Sequence, residues 1–232
     1  MDVLHSSSDM KKSHGNQVWK EPYENKDYET ALPLIREAAD SGDTEAIAAL
    51  AMCCIYGYGM DKDYDQGFKL AQEAAEAGNA RGMFLVGRCY ERGDGVIQDH
   101  ARALEWYKKA AELGDSWAMD NIGVMYGTGN GVAQDYARAM EWYKKSADLG
   151  NAYAMTNIGE LYRHGRGVPQ DSARAMEWFQ KAADLGSDWA MCGIGILYAD
   201  GKGVAKDDAK AMEWFKKAAA LGNSWAASQV SK

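Results

Sequence analysis

The sequence predicts an all-α protein, an α/α superhelical solenoid of helix–turn–helix repeats with a 36-residue period. Three observations predict it. Gly42, Gly78, Gly114, Gly150, Gly186 and Gly222 stand 36 residues apart with no insertion. Asp63, Asp99, Asp135, Asp171 and Asp207 keep the same step. So do Tyr90, Tyr126, Tyr162 and Tyr198, and also Trp106, Trp142, Trp178 and Trp214. A fixed period of this length marks stacked supersecondary units, each of which buries its apolar face only against a neighbour.

Each element follows from residues inside one unit, here 116–151. Ala118, Met119, Ile122, Gly123, Met125 and Tyr126 are spaced as one face of a first helix. Gly127, Gly129 and Gly131 end it, since glycine takes positive φ without penalty. Asp135 stands at an N-cap position, ready to accept the orphan N–H groups of a second helix through Ala139, Trp142, Tyr143 and Ala147. Glu141 and Lys145 are placed to pair at i, i+4, as are Glu105, Glu177 and Glu213 with their own lysines. Gly150 closes the second helix, and Asn151 caps the next first helix. Gly87, Gly123, Gly159 and Gly195 recur in mid-helix, at a cost of ~1 kcal/mol each relative to Ala, which implies close backbone approach. The recurring tryptophans and tyrosines are expected to fill the space between neighbouring units.

The organisation read from this register is a polar, flexible tail over 1–26 and an N-terminal capping half-repeat over 27–43. Five repeats follow, at 44–79, 80–115, 116–151, 152–187 and 188–223, and a capping half-repeat closes the chain over 224–232. The first full unit is degenerate: Ala51 replaces Gly, Cys54 replaces Tyr and Leu70 replaces Trp.

Composition narrows the function. The chain has 232 residues, a formal charge of -8 and 47% hydrophobic residues. Phosphate binding needs clustered Lys and Arg, so nucleic acid is not the expected partner. No stretch approaches the ~20 apolar residues of a membrane span, and no apolar leader is visible, so a cytoplasmic location is expected. Cys53, Cys54, Cys89 and Cys192 form no C-x-x-C pair and read as small buried hydrophobes. Metal and cofactor sites are not expected, because the four histidines are isolated and the glycine turns lack a following G-K-S/T. Ser8 and Lys11 make a lone S-x-x-K without companion motifs. An enzyme is therefore not expected.

The unit from Ala154 to Gly186, with its L-Y-x-x-G-x-G-V turn, aspartate cap, tryptophan and A-A-x-x-G ending, resembles the SEL-1-like repeat. The resemblance covers about residues 27–230. It implies a superhelix akin to tetratricopeptide repeats, serving as an adaptor or scaffold in protein complexes. Some cysteine-rich relatives bridge every helix pair, and this chain lacks that pairing.

Repeated positions serve the stacking that all units share, and the positions that vary between units form a stripe on the first helices. The expected partner-binding residues on that stripe are Arg81, Phe84, Arg88, Trp117, Asp120, Asn121, Val124, Tyr153, Thr156, Asn157, Glu160, Arg163, Trp189, Ile196 and Asp200. By analogy with tetratricopeptide-like solenoids the first helices line the concave side. Aromatic and Arg side chains are the types that anchor interfaces. Asn121 and Asn157 are candidates to hydrogen-bond a partner backbone. The same aromatics also fit a role in packing between units. The leading reading is a monomeric adaptor holding a protein partner. The competing readings are an inhibitor or immunity protein that neutralises a toxin or enzyme, and, from another class, a small-ligand binder or weak hydrolase.

Overall fold

A computed structural model describes residues 17–231. Among them are thirteen helices and no strand. In chain order they are α1 (Lys20–Glu24), α2 (Tyr28–Asp40), α3 (Thr44–Tyr56), α4 (Tyr64–Glu76), α5 (Ala80–Arg92), α6 (His100–Glu112), α7 (Ser116–Thr128), α8 (Tyr136–Asp148), α9 (Ala152–His164), α10 (Ser172–Asp184), α11 (Asp188–Asp200), α12 (Asp208–Ala220) and α13 (Ser224–Val230). The fold is the predicted solenoid. It divides into two compact units, Met1–Asp115 and Ser116–Lys232. No helix is long and apolar enough to cross a membrane among the described residues.

The aspartate caps form as the spacing dictates. Asp99, Asp135, Asp171 and Asp207 each accept the backbone N–H three residues on through Oδ1. Their other oxygen meets the side chain of that same residue, Arg102, Arg138, Arg174 or Lys210, at 3.3–3.6 Å. The cation in turn lies over the ring of Tyr90, Tyr126, Tyr162 or Tyr198, 5.4–5.7 Å from its centre. The cap aspartate N–H returns to the carbonyl of that tyrosine at 2.8–3.0 Å, which closes the turn. One clasp thus explains the Tyr, the Asp and the cation at fixed offsets. In the turn itself Gly167, at φ +70, sits so close to α8 that a Cβ would lie 2.6 Å from Tyr136 Cβ.

The mid-helix glycines make room for an aromatic ring of the paired helix. A Cβ on Gly123 would stand 2.5 Å from the Tyr143 ring, and one on Gly159 2.5 Å from Phe179. Gly87 with Tyr107 and Gly195 with Phe215 repeat the arrangement. The buried aromatic is therefore the residue after each repeated tryptophan. Trp106, Trp142, Trp178 and Trp214 are only half-buried, which corrects the expectation that they fill the space between repeats. Lys109, Lys145, Lys181 and Lys217 lie 4.1–4.4 Å over these indoles. The lysines stack on the ring at i−3 instead of reaching the glutamates at i−4.

Consecutive repeats of the second unit are stitched at the caps of the first helices. Asn151 Oδ1 accepts from Tyr153 and Ala154 N–H, while its Nδ2 donates to the Ser116 carbonyl at 3.3 Å. Ser146 Oγ donates to the same carbonyl at 2.6 Å. Asn223 Nδ2 donates to Asp188 Oδ2 at 2.8 Å.

At the other end, the expected tail is corrected over residues 17–26. Trp19 is buried and packs edge-on against Tyr23, and both join a cluster with Ile35, Ala38 and Cys53. Residues 1–16, including Ser8 and Lys11, lie outside the described residues. All four cysteines are free and buried, as their apolar neighbours predict.

Candidate functional site

Within the second unit, α9, α11 and α13 border a recess of about 350 Å³. One wall comes from α9 through Thr156, Asn157, Glu160 and Arg163. The other is apolar: Trp189, Cys192, Gly193 and Ile196 from α11, and Trp225 from α13. The capped helix starts at Asn151, Ser187 and Asn223 fix the register that brings these side chains together.

The polar wall is internally paired. Arg163 grips the Glu160 carboxylate with Nε and Nη2, the latter at 2.7 Å. His164 Nε2 stands 3.2 Å from the same carboxylate. Desolvation, followed by the Arg163 charge, holds the His164 pKa below its usual value against the opposing pull of Glu160. The Thr156 hydroxyl donates to the Ala152 carbonyl or shares a hydrogen bond with Ser187 Oγ. Asn157 Nδ2 donates to Asp120 Oδ1 at 3.0 Å.

Asp120 is a buried carboxylate, 7% exposed. Burial pushes its pKa up to about 6, and the Asn157 hydrogen bond opposes that rise only in part. Burial of the Tyr143 hydroxyl, and after it the Asp120 charge, pushes that hydroxyl's pKa well up. On the apolar wall, burial pushes the Cys192 thiol up to about 11, which leaves it unreactive at neutral pH.

The recess brings together five of the residues predicted from sequence: Thr156, Asn157, Glu160, Arg163 and Trp189, with Ile196 as a sixth. The others lie elsewhere. Phe84, Asp120 and Thr156 occupy the same slot in successive repeats and are all buried. At that slot Asp120 meets Asn157 of the next first helix and Phe84 packs against Tyr107 of its own repeat, so neither of these two side chains is displayed. Asn121 Nδ2 donates to the Trp117 carbonyl of its own helix at 3.1 Å. Trp117 and Tyr153 face each other with ring centres 5.1 Å apart, and stay 38% and 50% exposed. Val124 is half-buried. Asp200, at the exposed end of α11, pairs with Lys202. In the first unit, Arg81 lies over Phe84 and 3.6 Å from Asp115. Arg88 also lies over Phe84.

Three members of the recess are not among the predicted partner-binding residues: Cys192, which reads from sequence as a small buried hydrophobe, Gly193 and Trp225. Gly193 was hidden because the absence of a side chain gives no residue-type signal. Trp225 was assigned to a terminal cap, although it stands one full period after Trp189.

No group of His, Cys, Asp or Glu among the described residues is arranged to hold a metal ion.

The Sel1 repeat profile matches residues 44–79, 80–115, 118–151, 152–187 and 190–223. No curated protein matches the chain. A Sel1 repeat protein from Oxalobacter formigenes is 31% identical, with a TM-score of 0.80 over 93% of this chain and 88% of that one. A protective antigen with an SLR fold from uropathogenic Escherichia coli is 29% identical, with a TM-score of 0.72 over 96% of this chain and 49% of that one. An immunity protein from Pseudomonas aeruginosa is 25% identical, with a TM-score of 0.60 over 79% of this chain and 67% of that one. Proteins built of this repeat are generally protein-interaction scaffolds. With the repeat recognised in all five predicted units and the same fold in a relative at 31% identity, this chain belongs to the Sel1 repeat family.

Proposed function

We propose that this protein is a non-catalytic, monomeric adaptor of the cytoplasm that holds a segment of another protein against the first helices of its repeats. The observation that carries this reading is the half-exposed aromatic row at one slot of those helices. Trp117, Tyr153, Trp189 and Trp225 remain 38%, 50%, 55% and 39% exposed. Large amphipathic rings left open to water on a rigid element are the residue type that anchors protein interfaces. The paired Glu160 and Arg163 and the unreactive thiol beside them offer no nucleophile, and the raised carboxyl of Asp120 is buried behind Asn157 rather than lining the recess, which supports binding over catalysis. The free cysteines support a reducing compartment.

A second reading is favoured by one finding, the likeness to an immunity protein. On that reading the same face would cover a single toxin or enzyme.

A photoreactive benzoylphenylalanine placed at Trp189 or at Tyr153 tests the proposal in cells. Crosslinks to a protein from these positions, absent from Trp178 and Trp214 on the second helices, are the expected result. Equal crosslinking from the second helices would overturn it. A single partner captured in a tight one-to-one complex would select the immunity reading over the adaptor.

A further inference from the structure

The α9–α11–α13 recess specifies the chemistry of what enters it. Its volume of about 350 Å³ stands near the bottom of the ~300–1,000 Å³ range of ligand pockets, with room for one large side chain. Its far wall is two indoles, an isoleucine and a thiol, with Gly193 backed directly by the Phe179 ring, which a Cβ there would meet at 2.8 Å.

Its near wall carries charges that already cancel. Glu160 is occupied by Arg163 and faced by His164, so an incoming carboxylate would compete with Glu160 and an incoming cation with Arg163. The whole second unit repeats that balance, with thirteen Asp and Glu against thirteen Lys and Arg in residues 116–232.

One polar atom remains uncommitted. Ionised Asp120 only accepts hydrogen bonds, so the NH2 of Asn157 must face it and the Oδ1 atom must face away. No donor among the described residues reaches that oxygen.

We propose that the recess takes one uncharged apolar side chain of a partner polypeptide, with Asn157 Oδ1 accepting a backbone N–H next to that anchor residue. The inference rests on the adaptor reading above and names what the adaptor recognises. An apolar far wall and a near wall whose charges are already paired select against charged anchors by their desolvation cost. The single acceptor fixes the anchor's orientation against the polar side.

Display of random peptides, selected on the full-length protein, tests this. The expected binders share an uncharged apolar residue at one fixed position. Changing that residue to Lys or Asp, or changing Trp189→Ala or Ile196→Lys in the protein, weakens binding about tenfold or more. Trp189 and Ile196 are not fully buried, and circular dichroism checks that both variants keep their helices. Binders anchored by a charged residue, or binding indifferent to Ile196→Lys, would overturn the recess proposal and leave the adaptor reading standing. A selection that yields no binder would count against both.

Discussion

The two units of this chain use one period to solve two different problems. In residues 116–232 the positive and negative side chains balance, and the formal charge of -8 belongs entirely to residues 1–115. The second unit repeats the glycine-and-ring pairing in every repeat, with Gly123 under Tyr143, Gly159 under Phe179 and Gly195 under Phe215. The first repeat of the first unit has Ala51 and Ala71 at those positions. There the close approach has moved, so that a Cβ on Gly67 of α4 would stand 2.6 Å from Ile55 Cγ1 of α3. That repeat also lacks the clasp: Cys54 stands in the tyrosine slot, and the Asp63 cap accepts from Gln66, which carries no cation. Regular packing goes with open aromatics on the outer slot of the first helices, and degenerate packing goes with an end that covers itself using Trp19, Tyr23, Tyr28 and Tyr58. The regular unit offers a surface, and the irregular one closes an end.

The most damaging change to the regular unit should be Phe179→Ala. The ring is fully buried and touches the space of both Gly159 and Gly193. The expected loss is ~3–5 kcal/mol in urea unfolding followed by tryptophan fluorescence. Six of the eight tryptophans lie in residues 116–232, so the signal reports chiefly on that unit. Ala71→Gly in the first repeat, which has no ring to lose, should cost only ~1 kcal/mol.

A gain is expected from Asp120→Asn. The native carboxyl keeps its proton up to about pH 6, whereas the unfolded one loses it near pH ~4. The native state therefore binds more protons in that window, and stability falls as pH rises from ~4 to ~6 and stays low above it. The variant escapes this cost and should be ~1–3 kcal/mol more stable than the parent at pH 7. Urea midpoints should converge at pH ~4. A variant equally destabilised at both pH values would break this account of the seam.

Gly123→Val should overpack α7 against the Tyr143 ring and cost ~1–3 kcal/mol, visible as a lower melting temperature. An unchanged melting temperature would show that the glycine is not there to admit the ring. The smallest effect expected is from Asp171→Ala, at ~1 kcal/mol for the cap. The matching Asp63→Ala should cost a few tenths less, because Gln66 brings no charge to its aspartate.

These contrasts mark what was legible beforehand. The glycine and aspartate registers set the limits of the repeat helices, since caps and positive-φ turns are local chemistry that a residue type reveals on its own, whereas α1, outside the register, was not legible. The recess was legible in part, because positions that vary between units mark the outer stripe. Phe84 and Asp120 misled for a physical reason: their slot turns inward, onto Tyr107 of the same repeat for Phe84 and onto Asn157 of the next for Asp120, and that depends on how the helices lean together. The repeated tryptophans misled in the same way. Their period is the period of Tyr107, Tyr143, Phe179 and Phe215 beside them, and only the packing decides which neighbour turns inward. The lysines chose an indole face over a glutamate, a competition between two exposed contacts of similar strength.

The most direct test of the central claim, that the first helices of the second unit form the binding face, is hydrogen–deuterium exchange on the full chain with and without a display-selected peptide. The account predicts slowed exchange in 152–164, 188–200 and 224–230. Protection confined to the second helices or to residues 17–115 would contradict it.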